Sequence, residues 1–137
     1  MGTFSEDDFG NFANDGARQT LALWTAKLVA TITEVIEDDG RLEPDEDGES
    51  LLMPSVDILA QLCERCGAVP PRPATVRQWA DKYLAAYDRR IDRRKPKPRP
   101  EFKAGRRKVI GQTFRWLEGV AEAHWGSDED ASAEGQG

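Results

Sequence analysis

Histidine is almost missing from this chain, and cysteine and methionine are scarce: 137 residues hold one His, two Cys and two Met. A single imidazole, His124, cannot build a multi-histidine metal centre, and it offers one candidate general base at most. The two cysteines stand close together in Cys63-Glu64-Arg65-Cys66, which is too few for a disulfide framework and only half of a structural zinc site. No apolar run approaches the ~20 residues that cross a bilayer. Met1 to Phe12 carries acids and no base, unlike a signal or transit peptide, so the cytoplasm is the expected compartment. Strand-like alternation, solenoid repeats, a glycine-rich phosphate loop, a dinucleotide fingerprint, a His-Glu-x-x-His helix and a serine elbow are all missing. The expectation is a non-catalytic protein without a cofactor.

What is present in quantity is charge, and it is segregated. The net charge of −6 is a sum of unlike parts. Residues 1–50 hold 13 acids and 3 bases (−10), residues 51–126 hold 8 acids and 16 bases (+8), and residues 127–137 hold 4 acids and no base (−4). The last of these stretches, all Gly, Ser, Ala, Gln and acid after Gly126, is expected to be a disordered acidic tail. Residues 1–126 are expected to form one domain, with 1–14 as an irregular lead-in.

Apolar spacing predicts four helices around one core, an all-α bundle. The first is expected from Asp15, as N-cap, to about Asp39, with Gly40 in a left-handed stop. Its face is Leu21, Trp24, Leu28, Ile32 and Val35. Residues 41–50 read as an acidic loop broken by Pro44 and Gly48. A second helix is expected from near Ser55, with Val56, Leu59, Leu62, Cys63 and Cys66 inward and Gly67 as its stop. Both thiols then belong to packing. Three prolines make 68–73 an extended connection. Thr75 is expected to cap a third helix, whose stripe of Val76, Trp79, Ala80, Tyr83, Leu84, Tyr87 and Ile91 carries it to Lys95. A fourth, Phe102 to Trp125, presents Ile110, Thr113, Phe114, Leu117, Val120 and Ala121. Its glycines, 105, 111 and 119, suggest close helix contact. Trp24, Trp79, Tyr83 and Trp116 are expected to supply much of the burial.

Met1-Gly2-Thr3-Phe4 and Phe12-Ala13-Asn14-Asp15-Gly16-Ala17 resemble the opening of an uncharacterised bacterial family, domain of unknown function 4259. Its members begin Met-Gly-Thr-Trp and carry Phe-x-Asn-Asp-x-Ala. The stretches Leu42 to Gly48 and Leu59 to Tyr87 are similar to the same family. Phe4 replaces its Trp, and Gln19-Thr20 replaces its Asp-Phe. The resemblance implies a single domain over nearly the whole chain and supplies no activity.

Two charged stretches invite a function. Glu43, Asp45, Asp47 and Gly48 match positions one, three, five and six of an EF-hand loop, but Ser50 and Pro54 occupy the positions that need an apolar residue and a bidentate Glu. A solvated acidic turn is therefore expected rather than a calcium site. The stretch Arg89 to Lys108 holds 11 Lys or Arg in 20 residues against Asp92 and Glu101. Arg89, Arg90, Arg93, Arg94, Lys95, Lys97, Arg99, Arg106, Arg107 and Lys108 are the candidate partner-binding residues. They would serve a protein partner, in an immunity- or adaptor-like role, or alternatively nucleic acid through phosphate contacts. A helix-turn-helix across residues 67–75 is disfavoured by the prolines and by the aromatic face of the third helix. The acidic front could also answer the basic stretch within the molecule, leaving less of it for any partner. An enzyme using His124 is the remaining, weaker alternative.

Overall fold

A computed structural model describes residues 15–43 and 46–126. Expectations for 1–14, for Pro44 and Asp45, and for the tail 127–137 lie outside the described residues. Four helices are present: α1 (Asp15–Glu37), α2 (Met53–Cys66), α3 (Pro73–Arg90) and α4 (Pro100–Trp125). Among the described residues there is no strand, and no helix is long and apolar enough to cross a membrane. The all-α expectation holds.

Helix ends follow backbone chemistry more than side-chain caps. Proline occupies the first positions of α2, α3 and α4, where a missing N–H costs nothing and the fixed φ suits the helix. Thr75 therefore lies inside the first turn of α3 instead of capping it, and Asp15 likewise stands within the first turn of α1. Gly67 ends α2 in the left-handed conformation (φ 77°), its N–H bonded to the Leu62 carbonyl, as expected for a glycine stop. Gly40 does not play that part. It sits in a tight turn, Asp39–Leu42, capped by Asp38, whose carboxylate accepts from the Gly40 N–H. Residues Gly48–Leu52 form a wide helical turn leading into α2, so the loop expected over 41–50 is partly wound. Helix α3 stops at Arg90 and passes into a short turn, Ile91–Arg93, before the prolines arrive.

The core joins Ile32 and Val35 of α1, Leu52, Val56 and Leu59 at α2, and Val76 and Tyr83 of α3 to Ile110, Phe114 and Leu117 of α4. Helix α4 packs against both α2 and α3, and α1 closes the α2 side. The aromatic expectation holds for Trp79 and Tyr83 and fails for Trp24, which is 54% exposed. Thr25 is buried in its place, its hydroxyl satisfied by the Leu21 carbonyl at 2.7 Å. Trp116 is only half-buried. Cys63 is buried and Cys66 half-buried, both as free thiols.

The glycines of α4 do not serve close contact: a Cβ on Gly105 or Gly119 meets nothing, and one on Gly111 meets only the flexible Arg115. Gly48 is the position that has no room. A Cβ there would stand 2.8 Å from a ring carbon of the buried Tyr83. Gly48→Ala is expected to cost about 1–3 kcal/mol, because the core holds that ring in place. A denaturant midpoint unchanged from wild type would show that the turn moves freely.

Burial also raises the pKa of three acids of the core, Cys63, Tyr83 and Tyr87. Desolvation pushes the Cys63 thiol from 9.0 up to about 11. Burial, with the nearby Glu49 carboxylate adding to it, pushes Tyr83 from 10.0 up to about 12. Folding thus favours the protonated forms. Their contribution to stability is complete below about pH 9 and is lost as pH rises through the folded values. Chemical denaturation is expected to show stability falling between about pH 9 and 12, more shallowly in Tyr83→Phe. A flat profile to pH 11 would contradict this.

Candidate interaction site

The basic stretch does not form one surface. Arg90 is drawn into the molecule, 6% exposed, where its guanidinium donates to the Asp39 carbonyl (2.5 Å) and to the Asp39 carboxylate, and its Nε faces Glu43 at 3.2 Å. Arg89 stands 3.8 Å from Asp39, and Arg93 stands 4.0 Å from Glu43. Lys103 meets Asp92 at 2.6 Å, Arg107 meets Asp88 at 3.0 Å, and Arg106 meets Glu49 at 3.3 Å. Arg94 lies over the Phe102 ring, 5.8 Å from its centroid. Three of the acids that answer the stretch, Asp39, Glu43 and Glu49, come from the turns after α1, while Asp88 and Asp92 belong to the end of α3 and the turn beyond it. Lys95, Lys97, Arg99 and Lys108 remain exposed, with no ion pair among the described residues.

The same pairing takes up the carboxylates considered for calcium. Glu43 faces Arg90, and Asp47 accepts from Arg41 at 2.6 Å. Asp45 lies outside the described residues. Among the described residues, no three His, Cys, Asp or Glu side chains group as metal ligands. His124 is exposed in the last turn of α4, its ring edge-on to Trp125 with centroids 4.7 Å apart. It borders a cleft that also contains Cys63, Glu64 and Arg115, yet among the described residues no hydrogen bond joins it to a second polar side chain. Trp125 is the anchored member of this end: its indole donates to the Pro70 carbonyl at 2.8 Å, and the Arg72 guanidinium covers its face at 3.8 Å.

A groove not visible from sequence spacing lies between α2 and α4, which run parallel. Glu49 pairs with Arg106 near one end, and further along Trp116 donates to Glu64 across the seam. Around the Glu49–Arg106 pair is a groove of about 600 Å³, walled by Met53, Pro54, Phe102, Val109 and Ile110. Phe102 and Val109 are 45% and 58% exposed, so large apolar groups line its open side. Glu49 Oε1 and Arg106 Nε are buried here without a well-aligned hydrogen bond, so this pair is held by charge rather than by geometry. Asp57 on α2 and Glu101 on α4 complete the lining. The arrangement is concave, mostly apolar and carries a few fixed charges, the usual make-up of a recognition groove. Nothing in it positions a nucleophile beside a base.

No family model, curated protein or solved structure matches this chain. The functional argument therefore rests on the chain's own geometry.

Proposed function

We propose that the protein is a non-catalytic interaction module that holds a protein partner in the α2–α4 groove. The observation that supports this reading is the exposure of Phe102 and Val109 on the wall of that groove, where burial by a partner would remove apolar surface from water. Internal pairing of Arg89, Arg90, Arg93, Lys103, Arg106 and Arg107 moves the weight of the proposal away from the basic stretch. The test is a pull-down from the source cells comparing the native chain with Val109→Asp and with a variant carrying alanine at Lys95, Lys97, Arg99 and Lys108. A partner lost with Val109→Asp and kept by the second variant supports the groove. If no captured protein depends on Val109, the reading fails.

Lys95, Lys97, Arg99 and Lys108, exposed and with no ion pair among the described residues, favour a second reading, in which they touch the phosphates of a nucleic acid. With four contacts in place of ten or so, the slope of log K against log salt is expected near −4, since each phosphate contact contributes about −0.9. A gel shift with no retardation at low salt would end this reading.

A further inference from the structure

The charges around the groove bear on what kind of partner segment fits it. Of the charged residues that line it, Glu49 and Arg106 offset each other. That leaves Asp57 on the α2 wall and Glu101 on the α4 wall, neither with a cationic partner among the described residues. Asp57 is held in place by the Gln61 amide, which donates to it at 2.8 Å. The groove therefore offers an apolar lining with two carboxylates, Asp57 and Glu101, that no lining cation answers, while the Arg94 guanidinium lies over the Phe102 ring. Along α4, the lining from Glu101 to Thr113 covers about 18 Å at 1.5 Å per residue, a little over three helical turns. Phe102 and Val109 are two turns apart on α4, a spacing that meets anchors at i, i+3, i+4 and i+7 of an opposing helix. There is no sheet edge among the described residues to which an extended peptide could add a strand. Lys95, Lys97 and Arg99 precede α4 and are not part of the lining.

We infer that the occupant of the α2–α4 groove is a cationic amphipathic helix, with its apolar stripe on Phe102, Val109 and Met53 and its Lys or Arg side chains against Asp57 and Glu101. This rests on the groove being the docking site, and it adds the chemistry of the partner.

The probes are two 18-residue helical peptides of identical apolar pattern, one with Lys and one with Glu at every polar position, titrated against the full chain by fluorescence anisotropy. The Lys peptide is expected to bind about tenfold more tightly or better than the Glu peptide at moderate salt, because two partly exposed pairs each contribute modestly. Asp57→Lys combined with Glu101→Lys is expected to reverse that order. Val109→Asp is expected to weaken the Lys peptide about tenfold; Val109 is exposed enough for the fold to tolerate the change, and circular dichroism checks this. Equal binding of the two peptides, tighter binding of the Glu peptide, or binding of neither overturns the inference. The groove itself is judged separately, by dependence of the natural partner on Val109. A partner that requires Val109 but is indifferent to the Asp57 and Glu101 changes would leave the docking site standing and remove its cationic specificity.

Discussion

Arg90→Ala is expected to lower the unfolding free energy by about 3 kcal/mol, the largest effect of any charged position among the described residues. The side chain is buried, and its guanidinium fastens the turn after α1 to the end of α3 through the Asp39 carbonyl, the Asp39 carboxylate and Glu43. Hydrogen bonds to a charged group contribute about 1.5–3 kcal/mol each when intact, and truncation also leaves a void where the stem packed. Asp39 remains exposed after the change, so it regains water and part of the loss is recovered. Arg90→Met keeps the stem and is expected to cost about half as much. Arg89→Ala, which removes an exposed charge 3.8 Å from the same carboxylate, is expected to cost less than about 1 kcal/mol. Urea denaturation of the three variants checks the order. Equal effects at 89 and 90 would show that burial of Arg90 contributes nothing.

Phe114→Ala is expected to cost more, about 3–5 kcal/mol. Phe114 is 2% exposed in α4 and packs near Tyr83, their ring centroids 6.2 Å apart, where α3 and α4 meet. A domain of this size has roughly 5–15 kcal/mol in total, so the variant should be close to unfolding at physiological temperature. Val109→Ala, about one and a half turns away on the same helix but exposed, is expected to change stability by no more than about 0.5 kcal/mol. Thermal melts compare the two. A stable Phe114→Ala protein would mean that the core collapses into the space.

The helical architecture was legible because its signals are local. The stripe from Val76 to Ile91, the stop at Gly67 and the prolines bounding α3 each act within a few residues, and each lies where expected apart from shifts at the ends. Helix α1 was harder because it is apolar on more than one side. Leu23 and Trp24 compete with Leu28 and Ile32, and only packing against α2 decides that Thr25 is covered and Trp24 is not. Arg90 looks no different in sequence from Arg89. Its burial depends on Asp39 and Glu43, about fifty residues away, arriving beside it. The charge balance was legible as a sum but not as pairs, so the acidic turns could not be matched to particular cations. The α2–α4 groove left no sequence signal at all, since its two walls are separated in the chain by the whole of α3.

The prolines that open α2, α3 and α4 have a consequence for the denatured ensemble. A pyrrolidine ring restricts φ whether or not the chain is folded, so Pro54, Pro73 and Pro100 leave the unfolded chain fewer conformations to give up. Each such restriction contributes about 0.4–1 kcal/mol that no native contact accounts for. Three of the four helix starts are in this way partly written into the random coil.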